Sequence, residues 1–109
     1  MGKLYRKYLT ADILYTCSSC STHLISAGDI VSKSYMSKAG RAYLASSLVN
    51  ISVGEIVNKT LSSGNFDIAD VVCNGCDCVL GWKYITAYSD SQKYKEDMYI
   101  VDVFFLFNS

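Results

Sequence analysis

Cys17-Ser-Ser-Cys20 and Cys73-Asn-Gly-Cys76 are the two stretches that decide how this chain folds. In each, two intervening residues let a tight turn present both sulfurs to a single ion. The two turns together supply four soft thiolate ligands, the set that tetrahedral zinc prefers. Gly75, inside the second turn, is expected to ease the positive backbone angle that such turns often need. The 52 residues between Cys20 and Cys73 form a long loop. Closing it across a metal restricts the unfolded chain by about 4 kcal/mol on the loop-entropy scale used for disulfides.

Other readings of the cysteines fit less well. Disulfides belong to exported chains, and nothing here marks export. A thioredoxin-like redox pair needs one such motif in a βαβ setting, whereas this chain has two among strands. Iron is the remaining metal alternative. With all four positions filled by protein, none is left for an activated water, so the expectation is one structural zinc (Zn2+) on Cys17, Cys20, Cys73 and Cys76. Cys78 is surplus to that set and reads as a small, partly buried thiol. His23 could reach the ion only by displacing a cysteine.

Outward from the cysteines, short apolar runs separated by single glycines read as strands. Ile13–Thr16 and Phe66–Val72 lead into the two cysteine pairs. Arg41–Leu44, Leu48–Val53, Glu55–Leu61, Val79–Tyr88 and Tyr99–Phe107 complete the set. In the last run Tyr99, Val101, Val103, Phe105 and Phe107 alternate with Asp102 on the other face, which predicts one strand with a buried side. Ser89–Glu96 is the one short helical turn expected. Each cysteine pair is followed by an apolar residue, Leu24 or Leu80, as in two similar hairpin tips.

The composition agrees. The 109 residues are 50% hydrophobic and 18% charged, with nine tyrosines and no proline, which suits one packed, mostly β domain over 1–109. Ten basic residues balance ten acidic ones, so the chain lacks the basic excess of a nucleic-acid binder. Lys3, Arg6, Lys7, Lys33, Lys38 and Arg41 read as a solvated surface. No run approaches the ~20 apolar residues of a membrane span, and the amino end carries no signal-peptide core. Gly2 lacks the downstream Ser or Thr of a myristoylation signal. The expected setting is therefore the cytoplasm or nucleus, where the sequons at Asn50 and Asn58 are chance matches.

Further blocks give a resemblance. Ile30–Tyr35, Gly40–Leu44, Val49-Asn50, Ala69-Asp70, Leu80–Tyr84 and Ser91–Glu96, with the two cysteine pairs, resemble the yippee and yippee-like proteins over about residues 13–101. The resemblance implies two antiparallel sheets, a β-tent, pinned at one end by zinc on the same four cysteines. It also implies kinship in fold with the cereblon ligand-binding domain, a centromere-loading scaffold and methionine sulfoxide reductase B. Two positions depart from the pattern: Phe66 stands where yippee proteins usually have His, and Asp97 where they usually have Gly.

Trp82 and Tyr84 alternate on one strand, so both rings can face the same side. In cereblon the corresponding aromatics wall a pocket for an imide ring, which makes Trp82, Tyr84 and a third wall at Phe66 candidate ligand-binding residues. The competing reading places them in the core beside the zinc. No nucleophile, base and orienting group come together in the sequence, and the reactive cysteine of the reductase has no counterpart beyond Cys78, so an enzyme is not expected. Two functions remain: a non-catalytic interaction module in a larger assembly, of the ubiquitin-ligase or cell-division kind that the resemblance suggests, or a receptor for a small ligand or modified side chain.

Overall fold

The structure, a computed structural model, describes residues 13–37 and 40–108. Lys3, Arg6, Lys7 and Lys38 lie outside the described residues. Nine strands follow in order: β1 (Leu14–Cys17), β2 (His23–Ser26), β3 (Ile30–Ser37), β4 (Gly40–Ala45), β5 (Ile51–Leu61), β6 (Gly64–Cys73), β7 (Val79–Ala87), β8 (Tyr99–Asp102) and β9 (Leu106–Asn108). They form a three-stranded sheet, β2-β1-β9, and a six-stranded sheet, β3-β4-β8-β7-β6-β5. Every neighbouring pair is antiparallel. This is the mostly β, two-sheet architecture that the strand pattern and the resemblance led us to expect.

Two apolar clusters hold it together. One joins the sheets at the cysteine end, with Tyr15, Leu24, Ile25, Val71, Leu80 and Val101 around Cys17 and Cys73. The other lies farther along the large sheet, around Ala42, Leu44, Phe66, Ile68, Tyr84 and Ile100. β8 runs between β4 and β7, so its neighbouring residues Ile100 and Val101 turn to opposite faces and each enters a different cluster. Gly81 faces Val101 in the ladder. A Cβ at Gly81 would lie 1.8 Å from the Ile100 carbonyl oxygen, so only glycine lets β7 and β8 approach this closely.

The run Tyr99–Phe107 is not one strand. The chain leaves the six-stranded sheet after Asp102, makes a 3₁₀ turn at Val103–Phe105 and joins β1 of the other sheet as β9. Alternation continued through the turn by coincidence, and Phe107 is exposed. The runs expected on either side of Gly54 are one edge strand, β5, with a register irregularity between Val53 and Ile56. Leu48 precedes that strand as a buried loop residue. The serine-rich β3 and the short β2 were not evident as strands from periodicity alone. Ser89–Glu96 does hold a 3₁₀ turn, at Asp90–Lys95, but it is not the one short turn expected, since Ala27–Asp29 and Val103–Phe105 make two more. Among the described residues no helix is long and apolar enough to cross a membrane.

Candidate functional site

The cysteine site rests on two turns of the same build. In the first, Cys17 N–H donates to the Thr22 carbonyl at 2.8 Å and Ser21 N–H to the Cys17 carbonyl at 2.8 Å. In the second, Cys73 N–H donates to Cys78 at 2.9 Å and Asp77 N–H to Cys73 at 2.8 Å. The left-handed residue follows the second cysteine each time, Ser21 with φ 64° and Asp77 with φ 64°. Gly75 is therefore not the positive-φ residue of its turn, contrary to the expectation from sequence. It is glycine for want of room: an added Cβ would lie 2.2 Å from Thr22 Oγ1 and 2.7 Å from Cys20 Sγ.

The four sulfurs of Cys17, Cys20, Cys73 and Cys76 all lie within 4.8 Å of one another. Cys17 and Cys76 approach to 3.6 Å, as do Cys20 and Cys73. A tetrahedral zinc thiolate centre has sulfur–sulfur edges of about 3.8 Å, so the cluster fits one ion. Gly75 N–H donates to Cys73 Sγ at 3.3 Å, and Thr22 Oγ1 lies 3.0 Å from Cys20 Sγ. Such outer contacts orient the ligands and disperse thiolate charge. Burial opposes ionisation at Cys20, but hydrogen bonds from Thr22 and its neighbours outweigh it and lower the thiol to about 7. Burial pushes Cys73 up. At Cys76 the Cys78 backbone favours ionisation, while burial and the crowd of sulfurs win and raise it. Cys78 is half-buried against the core at this end. His23 is not in the cysteine cluster.

Trp82 and Tyr84 do share a face of β7, with ring centroids 6.1 Å apart and the planes nearly perpendicular. They line a cavity of about 650 Å³ that opens between β3, the β5–β6 hairpin and the 3₁₀ turn before β8. Tyr84 is buried and Trp82 half-buried. Burial raises the Tyr84 phenol, with the nearby Trp82 indole acting the other way. The indole Nε1 is nevertheless buried without a hydrogen bond of normal geometry. Phe66 lies fully buried behind the cavity wall, 4.8 Å from the Tyr84 ring, and does not itself line the space. Residues that sequence reasoning missed complete the lining, notably Tyr35 on β3 and Lys95 from the 3₁₀ turn. Their distance along the chain from β7 left no local signal.

The family described as Yippee zinc-binding/DNA-binding/Mis18, centromere assembly, matches residues 13–106. A yippee-like protein of Solanum tuberosum is 44% identical over 104 residues, covering 95% of this chain and 80% of the relative. Yippee-like 3 of Homo sapiens is 43% identical over 89 residues, covering 82% and 75%. The solved Yippee-like domain of Mis18 shares the fold, with a TM-score of 0.71, 18% identity, and coverage of 89% of this chain and 94% of that one. With the two-sheet fold and the clustered cysteines, these matches place the chain in the Yippee zinc-binding family.

Proposed function

We propose that this protein is a non-catalytic adaptor or regulatory subunit: a β platform, pinned by one structural zinc, that presents its surface to a protein partner. The observation that carries the reading is the edge strand β5. It runs for 11 residues along the open side of the large sheet. Val53, Ile56 and Val57 are exposed on it. A long edge with unpaired backbone groups and exposed apolar side chains suits strand addition or face-to-face docking. The zinc supports this role indirectly, because four sulfurs leave no open position for catalysis. The assembly proposed is of the ubiquitin-ligase or cell-division kind, in the nucleus or cytoplasm and away from membranes. The family's description includes DNA binding and centromere assembly, but a net charge of zero gives this chain no electrostatic support for nucleic acid.

Affinity purification with mass spectrometry tests the reading, comparing the unaltered chain with Ile56→Lys. A specific partner lost from the variant supports it. Absence of any specific protein, or a partner set unchanged by the substitution, counts against the β5 surface.

A second reading has its own observation, the cavity beside Trp82 and Tyr84. Its volume of about 650 Å³ falls among small-molecule sites, and its walls mix aromatic rings with a few polar groups, as ligand pockets do. On this reading the domain is a receptor for a small ligand or side chain. Protection against melting by a bound compound, lost in Trp82→Ala, would test it.

A further inference from the structure

Lys95 is 3% exposed, an unusual place for an ammonium group. Its Nζ lies 5.2 Å from the ring centroid of Tyr35, 5.4 Å from those of Phe66 and Tyr84, and 5.8 Å from that of Tyr94. Four ring faces partly replace the water it has lost. Its hydrogen bond goes to the Ser63 hydroxyl at 3.2 Å. A lysine offers three N–H donors, and among the described residues no carboxylate pairs with this one. Aromatic faces favour a cation without neutralising it, and a buried charge calls for a counter-charge.

Lys95 and Ser63 also line the cavity beside Trp82. Ser63 accepts from Lys95 and keeps its own proton to donate. Trp82 Nε1, buried beside the Tyr84 hydroxyl without a hydrogen bond of normal geometry, is a further donor in the same lining. Asp70 and Asp102 stand on the lining as well. Asp102 already accepts a hydrogen bond from the Ser37 hydroxyl. Lys59 and Lys95 balance these two aspartates, so the lining carries no overall excess of charge.

We propose that this cavity is a binding site for a carboxylate carried on an apolar, ring-sized body. The carboxylate is received by Lys95, Ser63 and the Trp82 N–H, and the body packs on Trp82, Tyr84 and Ile68. The proposal rests on the receptor reading above and gives it a ligand class. A free organic acid and the carboxyl-terminal residue of a peptide present the same chemistry.

The test is calorimetry and amide NMR on the zinc-loaded full chain. The probes are 3-phenylpropionate, its neutral amide, and an acetylated tripeptide ending in phenylalanine with a free or an amidated carboxyl end. The expected result is binding of the acid at least about tenfold tighter than of its amide, with shifts centred on Ser63, Trp82 and Tyr84. Tighter binding of the free-ended peptide than of 3-phenylpropionate identifies a peptide terminus as the source, and the reverse order a free acid. Lys95→Met should lose the acid's advantage. Because that variant can fail to fold, Trp82→Phe and Ser63→Ala serve as milder removals of one donor each, expected to weaken the acid several-fold while retaining zinc. If acid and amide bind equally, the carboxylate proposal falls and the receptor reading stands. If none of the probes binds at about 10 mM, the carboxylate proposal falls, and the receptor reading is decided by its own melting test. Acid binding unchanged in all three variants also overturns the proposal.

Discussion

Gly75 packs against Thr22 so closely that a Cβ would lie 2.2 Å from the threonine Oγ1. The contact joins the two halves of the cysteine cluster, since Thr22 follows the first pair and Gly75 sits inside the second. Gly75→Ala is therefore expected to push the two turns apart, costing about 1–3 kcal/mol and weakening zinc retention. Adding Thr22→Ala should recover part of the loss, because the nearest obstacle is then gone. Thermal melting and zinc content of the three variants check this. A fully stable Gly75→Ala protein contradicts it.

Zinc and protons compete for the same sulfurs. Burial opposes the hydrogen bonds from Thr22 and its neighbours at Cys20, which lower that thiol to about 7, while Cys73 and Cys76 are held higher. Binding must expel protons, so zinc affinity should fall as pH falls, by more than about tenfold per unit below neutrality. Stability should follow, because the ion binds the folded chain. Competition with a chromophoric chelator at several pH values measures the first effect. Melting with and without strong chelator measures the second, and an unchanged melt would contradict a structural zinc.

Tyr84 and Trp82 should separate in stability. Tyr84 is buried against Phe66, so Tyr84→Ala is expected to cost about 3–5 kcal/mol, as for large aromatic truncations in a core. Trp82 is half-buried on the cavity wall, and Trp82→Ala should cost about 1–2 kcal/mol. Urea denaturation of both variants decides it. Equal costs would place Trp82 in the core after all.

Asp97 adopts φ 67°, a left-handed conformation that favours glycine. The glycine that the resemblance led us to expect here is an aspartate, and the chain makes the turn with it. Its N–H still donates to the Tyr84 carbonyl at 2.8 Å. Among the described residues its exposed side chain makes one long ion pair, with Lys83 at 4.0 Å. Asp97→Gly is expected to relieve the strain and stabilise the fold by about 0.5–1 kcal/mol. A lower melting temperature for the variant would show that the side chain matters more than the backbone.

By itself the sequence determined the two cysteine pairs, most of the strands and the 3₁₀ turn at Asp90–Lys95, because each depends on residues close together in the chain; that the pairs meet followed from the four ligands zinc takes. Two-residue spacing sets the turns, and alternation along seven or eight residues sets a strand. Only the tertiary structure decided that Tyr99–Phe107 divides between two sheets, since the division depends on which distant strands, β4 and β7 or β1, offer hydrogen bonds. The role of Gly75 was hidden for the same reason: its neighbour Thr22 lies across the fold. So was the cavity, where Tyr35, Ser63, Trp82 and Lys95 come from four separate elements. Cys17, Cys20, Cys73 and Cys76 announced themselves through spacing, whereas a buried lysine among aromatic rings has no spacing to read.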